Sequence, residues 1–90
     1  MHEDDLPDII FSDLSREVEI DGHRFMVEIF RTDIDPGWAM TVENVFGTQT
    51  VFDTPPFLGD HMAWRAFEKL IAEEGVRALY TDKELHRLTQ

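Results

Sequence analysis

The chain has 90 residues, 19 acidic against 8 basic side chains, a formal net charge of −11 and no cysteine. That length supports one small domain, and the missing thiols exclude a disulfide, a thiolate zinc site, an iron–sulfur cluster and a thiol nucleophile. An acidic chain without a basic stripe is unsuited to direct nucleic-acid contact or to an anionic membrane surface.

The acid is uneven along the chain. Residues 1–21 carry eight acidic side chains against Arg16, residues 22–60 six against Arg24 and Arg31, and residues 61–90 balance five with five. The opening M-H-E-D-D-L-P-D has acids where a secretion signal needs positive charge. No apolar run approaches the ~20 residues that span a bilayer, so a cytoplasmic protein is expected. Residues 1–8 read as a flexible acidic arm and residues 9–90 as a single domain.

Ile9, Ile10, Phe11 and Leu14 form an apolar cluster without a clear period. An added edge strand, a helical turn and a docking arm all fit it. From Glu17 the pattern alternates through Ile20, pauses at Asp21-Gly22, and resumes from His23 to Arg31. Asp-Gly between two alternating runs is a strong hairpin signal, because both central residues need positive φ. Phe25, Val27 and Ile29 then share an inner face, and Met26, Glu28 and Phe30 share the outer one.

Pro36-Gly37 fits the middle of a type II turn. A third strand follows from Trp38, with Met40, Val42 and Phe46 inward. Gly47-Thr48 suits a two-residue type II′ turn into a fourth strand, Gln49 to Asp53. In that register Val51 joins the inner face, and Val45 and Phe52 fall on the outer one. Pro55-Pro56 is expected to end the strand. Asp60 reads as the N-cap of a helix from about His61 to Glu74, with Ala63, Ala66, Phe67, Leu70 and Ile71 as its apolar stripe and Gly75 as its stop. Val76–Tyr80 suits a fifth strand or an extended cover. Thr81-Asp82-Lys83-Glu84 is a capping-box pattern, placing a short helix over residues 82–88.

The fold expected is α+β: a four-stranded antiparallel β-meander with one main helix packed on one face, plus a short terminal helix. Helix over one face leaves Met26, Phe30, Val45, Phe52 and Trp64 without an obvious cover. Either the terminal segments cover them, or they form an interface, since aromatics and Met are enriched in interface cores.

Chemistry-bearing residues do not converge in the sequence. His2, His23, His61 and His86 share no helical turn or strand face, and no H-E-x-x-H occurs. Ser12 and Ser15 lie outside any nucleophile elbow. His61 beside Asp60 is the best single candidate for proton transfer, and Glu43 with Asp53 the best pair of carboxylates, though the favoured register does not align them. No catalytic, cofactor-binding or metal-binding residue is assigned, and a non-enzymatic protein is expected.

From Trp38 onward the chain reads W-x-M-x-V-E-x-x-x-G-T-x-T-V-F-D, then F-L-x-D-x-x-A and E-E-G-V. Trp38, Val42, Glu43, Gly47, Thr48, Thr50, Val51, Phe52, Asp53, Phe57, Asp60, Ala63, Glu73, Glu74 and Gly75 carry a pattern that resembles a group of small bacterial proteins of unknown function. Phe52 stands where that pattern has Trp. The resemblance covers about half of the chain, implies a compact family fold and carries no activity. Strands followed by G-D-x-x-A and a helix also look like the small antitoxins that block RNA-cleaving toxins. Two functions follow as expectations. The first is a protein-interaction module that pairs with itself, as a homodimer, or with another protein. The alternative is an acidic regulator, an antitoxin or nucleic-acid mimic, that binds a basic partner through residues 3–21.

Overall fold

A computed structural model describes residues 6–89. Residues 1–5, most of the acidic arm, lie outside the described residues. The order is β1 (Ile9–Phe11), β2 (Arg16–Ile20), β3 (His23–Thr32), β4 (Trp38–Glu43), β5 (Gln49–Phe57), α1 (Asp60–Glu74), a 3-10 turn (Val76–Leu79) and α2 (Asp82–Leu88). All strand pairs are antiparallel. The fold is α+β, with a meander from β2 to β5, a fifth strand added at β1, one main helix and one short one.

The first hairpin follows its local chemistry. Asp21 and Gly22 both take positive φ, at 51° and 83°, and Ile20 pairs with His23 across them. β1 and β2 both pair with the same edge of β3, β1 against Phe30–Thr32 and β2 against His23–Val27. The chain crosses from one to the other in a bulge at residues 12–15. There the Ser15 hydroxyl takes the place of a backbone group: it donates to the Ile29 carbonyl at 3.2 Å and accepts from the Ile29 N–H at 3.0 Å. The apolar cluster at Ile9–Phe11 is therefore an edge strand.

The second hairpin differs from expectation. Its loop is Val45-Phe46-Gly47, closed by Asn44 N–H to Thr48 carbonyl at 3.0 Å and Gly47 N–H to Asn44 carbonyl at 3.0 Å, with Gly47 at φ 85°. A type I turn followed by a left-handed glycine is the three-residue alternative to a two-residue turn. It pairs Glu43 with Gln49, Thr41 with Val51 and Met40 with Phe52. The shift is odd in residues, so every β5 side chain changes face. Phe52 lies inward beside Met40, and Val51 points outward.

Other expectations are corrected nearby. Pro55-Pro56 does not end β5: the strand bulges between Phe52 and Phe57, then re-pairs Phe57 with Trp38. Proline is tolerated because β5 is an edge strand. Gly37 does not take the positive φ of a type II turn. It is small because a Cβ there would come within 2.8 Å of the Pro56 Cβ. Helix α1 is capped by Gly59, and Asp60 is its first residue. Gly75, at φ 79°, stops it and donates its N–H to the Ile71 carbonyl at 2.9 Å. Val76–Leu79 is a 3-10 turn, not a strand. Thr81 and Glu84 form the capping box of α2.

The core lies between α1 and one sheet face: Phe25, Val27 and Ile29 from β3, Met40 and Val42 from β4, Ala63 and Phe67 from α1, with Leu79 and Tyr80 closing one end. Burying side chains of this size contributes roughly 1.5–3 kcal/mol each before entropy costs.

Candidate functional site

Alternation on β3 sends Arg24, Met26, Glu28, Phe30 and Thr32 to the face away from α1. Register then fixes their neighbours. Phe11 and Ala39 flank Phe30, Glu17 and Glu43 flank Met26, and Thr41 lies between Glu28 and Val51. Among the described residues nothing packs over this outer face. Ile9, Phe11 and Val51 are 59%, 55% and 56% exposed, and Met26 39%. The Phe11 and Phe30 rings meet at 6.1 Å between centroids, tilted by 56°. A shallow depression lined by Ile9, Phe11, Glu28, Phe30, Thr41 and Gln49 runs beside them.

The charge on this face is one-sided. Glu17, Glu19, Glu28 and Glu43 project from it, and among the described residues Arg24 is its single base, 3.8 Å from Glu19. Glu43 accepts from Gln49 Nε2 at 3.2 Å. Arg16 and Arg31 are turned to the helix side. Arg16 lies over Trp64 at 4.4 Å and Arg31 over Trp38 at 5.3 Å, so neither offsets those glutamates at close range.

Of the five interface residues expected from sequence, the structure brings Met26 and Phe30 together on the outer face. Val45 is exposed at the hairpin tip and shares a depression with Met26. Phe52 is on the inner face, half-buried against the core, and Trp64 packs there too, 5.5 Å from the Phe67 ring. Sequence reasoning missed Ile9, Phe11 and Val51. The signal for Val51 was N-V-F-G, since Asn first and Gly fourth mark a type I turn. For Phe11 it was the spacing of Ile9 and Phe11, which suits one face of a strand.

A second apolar feature borders the free edge of β5. It is a groove of about 700 Å³ lined chiefly by Phe52, Pro55, Pro56, Phe57, Leu58 and Met62.

The polar clusters hold the fold together. Asn44, 4% exposed, donates to the Leu79 carbonyl at 2.9 Å and to Glu84 Oε1 at 3.0 Å, while its Oδ1 accepts from the Phe46 and Thr48 N–H groups. Glu84 also accepts from the Thr48 hydroxyl and the Thr81 N–H. The Thr48 hydroxyl, then the Thr81 N–H, hold its carboxyl below the usual glutamate range. Tyr80 lies 3.1 Å from His23 Nδ1, and burial, with the Glu84 charge, pushes its phenol up.

The third cluster is Ser12, Asp60 and His61. Asp60 Oδ2 accepts from the Ser12 hydroxyl at 2.6 Å, and Oδ1 lies 3.0 Å from His61 Nδ1. The serine bond, aided by the His61 charge, holds the Asp60 carboxyl low. Carboxylate stands between serine and imidazole, so the imidazole is not placed to take the serine proton. The arrangement ties the β1–β2 bulge to the start of α1. Glu43 and Asp53 are not aligned, because Glu43 faces Gln49 and Asp53 falls in the β5 bulge.

Among the described residues no group of three or more His, Asp or Glu side chains is arranged to hold a metal ion, and no helix is long and apolar enough to cross a membrane. No protein-family model, curated protein or solved structure matches the chain.

Proposed function

We propose that this protein is a non-enzymatic, cytoplasmic protein-interaction module whose docking surface is the outer face of the sheet, and whose occupant is a second copy or another protein. One observation carries the reading: exposed Ile9, Phe11 and Val51, with half-buried Phe30 beside Phe11, form an apolar band across the sheet. Exposed apolar surface of this kind marks contact with a partner. The bacterial resemblance in residues 38–75 is compatible with such a role and supplies no activity of its own. The alternative, an acidic regulator of a basic protein, draws support from Glu17, Glu28 and Glu43 on the same face.

The test compares wild type with Phe30→Glu by light scattering, apolar-dye binding and circular dichroism. Expected is a variant that keeps its secondary structure and loses either self-association or dye binding. A wild type that is monomeric and binds no apolar dye would falsify the reading.

A further inference from the structure

We infer that the outer face receives a cationic amphipathic segment of a different protein rather than a second copy of this chain. The inference rests on the interaction-module reading and names its partner by chemistry. Two observations on that face carry it, area and charge.

Five strands are present, but at most four lie side by side at any level of the sheet. At about 4.8 Å per strand the face is about 19 Å wide, and from Arg24 to Thr32 it is about 27 Å long, or about 500 Å² in plan. A stable protein pair buries about 800 Å² on each side. Only part of so small a face is apolar, so polar complementarity helps to decide which partner it holds.

A second copy supplies the wrong charge. Its outer face brings the same four glutamates and the same Arg24, already drawn to Glu19 at 3.8 Å. Acids also rim the apolar end of the face, where the Asp8 N–H bonds Asp33 Oδ1 at 3.2 Å and Asp35 caps the next turn. Arg31 lines that end as well, drawn over Trp38, so both ends of the apolar band carry more acid than base. Whether two copies stack end to end or reversed, carboxylates meet carboxylates. A partner segment with lysine or arginine set between apolar residues fits instead. Its apolar side chains rest on Phe11, Phe30 and Val51, and its cations reach Glu17, Glu28 and Glu43. Phe30, Glu28 and Met26 follow one another at about 6.8 Å along β3. That is close to the roughly 6 Å between positions i and i+4 of a helix and equal to the alternate-residue step of a strand.

The test titrates the intact protein with three defined synthetic peptides: an amphipathic Leu/Lys peptide, a Leu/Glu peptide of the same pattern, and a Ser/Lys peptide of the same charge. Leu/Lys should bind about tenfold more tightly than Ser/Lys, Leu/Glu should not bind, and affinity should fall as salt rises. The triple variant E17Q/E28Q/E43Q should weaken Leu/Lys binding about tenfold, and F11S/F30S should remove its advantage over Ser/Lys. Neutralising Glu68, Glu73 and Glu74 on α1 should change nothing. Leu/Lys binding that is indifferent to the outer-face variants overturns the inference. A wild type larger than 10.5 kDa in solution, reduced to a folded monomer by Phe30→Glu and tightened by salt, keeps the docking surface and overturns the partner. A folded wild type that binds no peptide, takes up no dye and stays monomeric overturns both.

Discussion

Phe25, Val27 and Ile29 are at most 1% exposed, while Met26, Glu28 and Phe30, which alternate with them on β3, lie on the open face. The two sets differ only in parity along one strand. One has α1 against it; the other faces away. Among the described residues one helix is long enough to cover a sheet, so one face becomes core and the other stays open. The faces also differ in charge: Arg16 and Arg31 lie over tryptophans on the helix side, while glutamates line the open side.

That contrast can be broken most directly by truncating one side chain on each face. Phe25→Ala should cost about 3–5 kcal/mol, from lost transfer energy and the cavity left behind. Phe30→Ser should cost less than about 1 kcal/mol, since half its neighbourhood is already solvent. Urea denaturation of the two variants measures the difference, and equal losses would mean the outer face is covered.

Asn44 sharpens the boundary between the faces, because it fixes which β5 residues lie on each. Asn44→Ala removes donors and acceptors from a buried site and should cost about 1–3 kcal/mol, read from the urea midpoint. It should also loosen α2, detectable as faster amide exchange over residues 82–88. Gly47→Ala places a Cβ at positive φ in the same hairpin and should cost about 1 kcal/mol by the same measurement.

The smallest effect expected is on pH dependence. Glu84 and Asp60 both have folded-state carboxyls below their ordinary values, held down by the Thr48 and Ser12 hydroxyls respectively. Their stabilisation is complete above the unfolded values, about 4 for Asp and 4.3 for Glu, and fades as pH falls through the lowered folded values. Thermal melting followed from pH 7 downward should show stability declining below about pH 4. Glu84→Gln should flatten that decline, and an unchanged slope would mean that Glu84 does not contribute.

The sequence by itself determined the elements whose cause is local. The alternation of β3, the Asp21-Gly22 turn, the span of α1, its stop at Gly75 and the capping box of α2 all follow from residues within a few positions of each other. The parity of β5 hung on one short signal, N-V-F-G, because one residue more or less in a hairpin loop inverts a whole strand. Tertiary structure decided it through Asn44, whose side chain bonds Leu79 and Glu84, residues distant in sequence that only the folded chain brings beside the loop. The same holds for the docking surface. Met26 and Phe30 were legible from β3 alone, whereas Ile9, Phe11 and Val51 reach it through pairings with Thr32, Phe30 and Thr41 that only the assembled sheet creates.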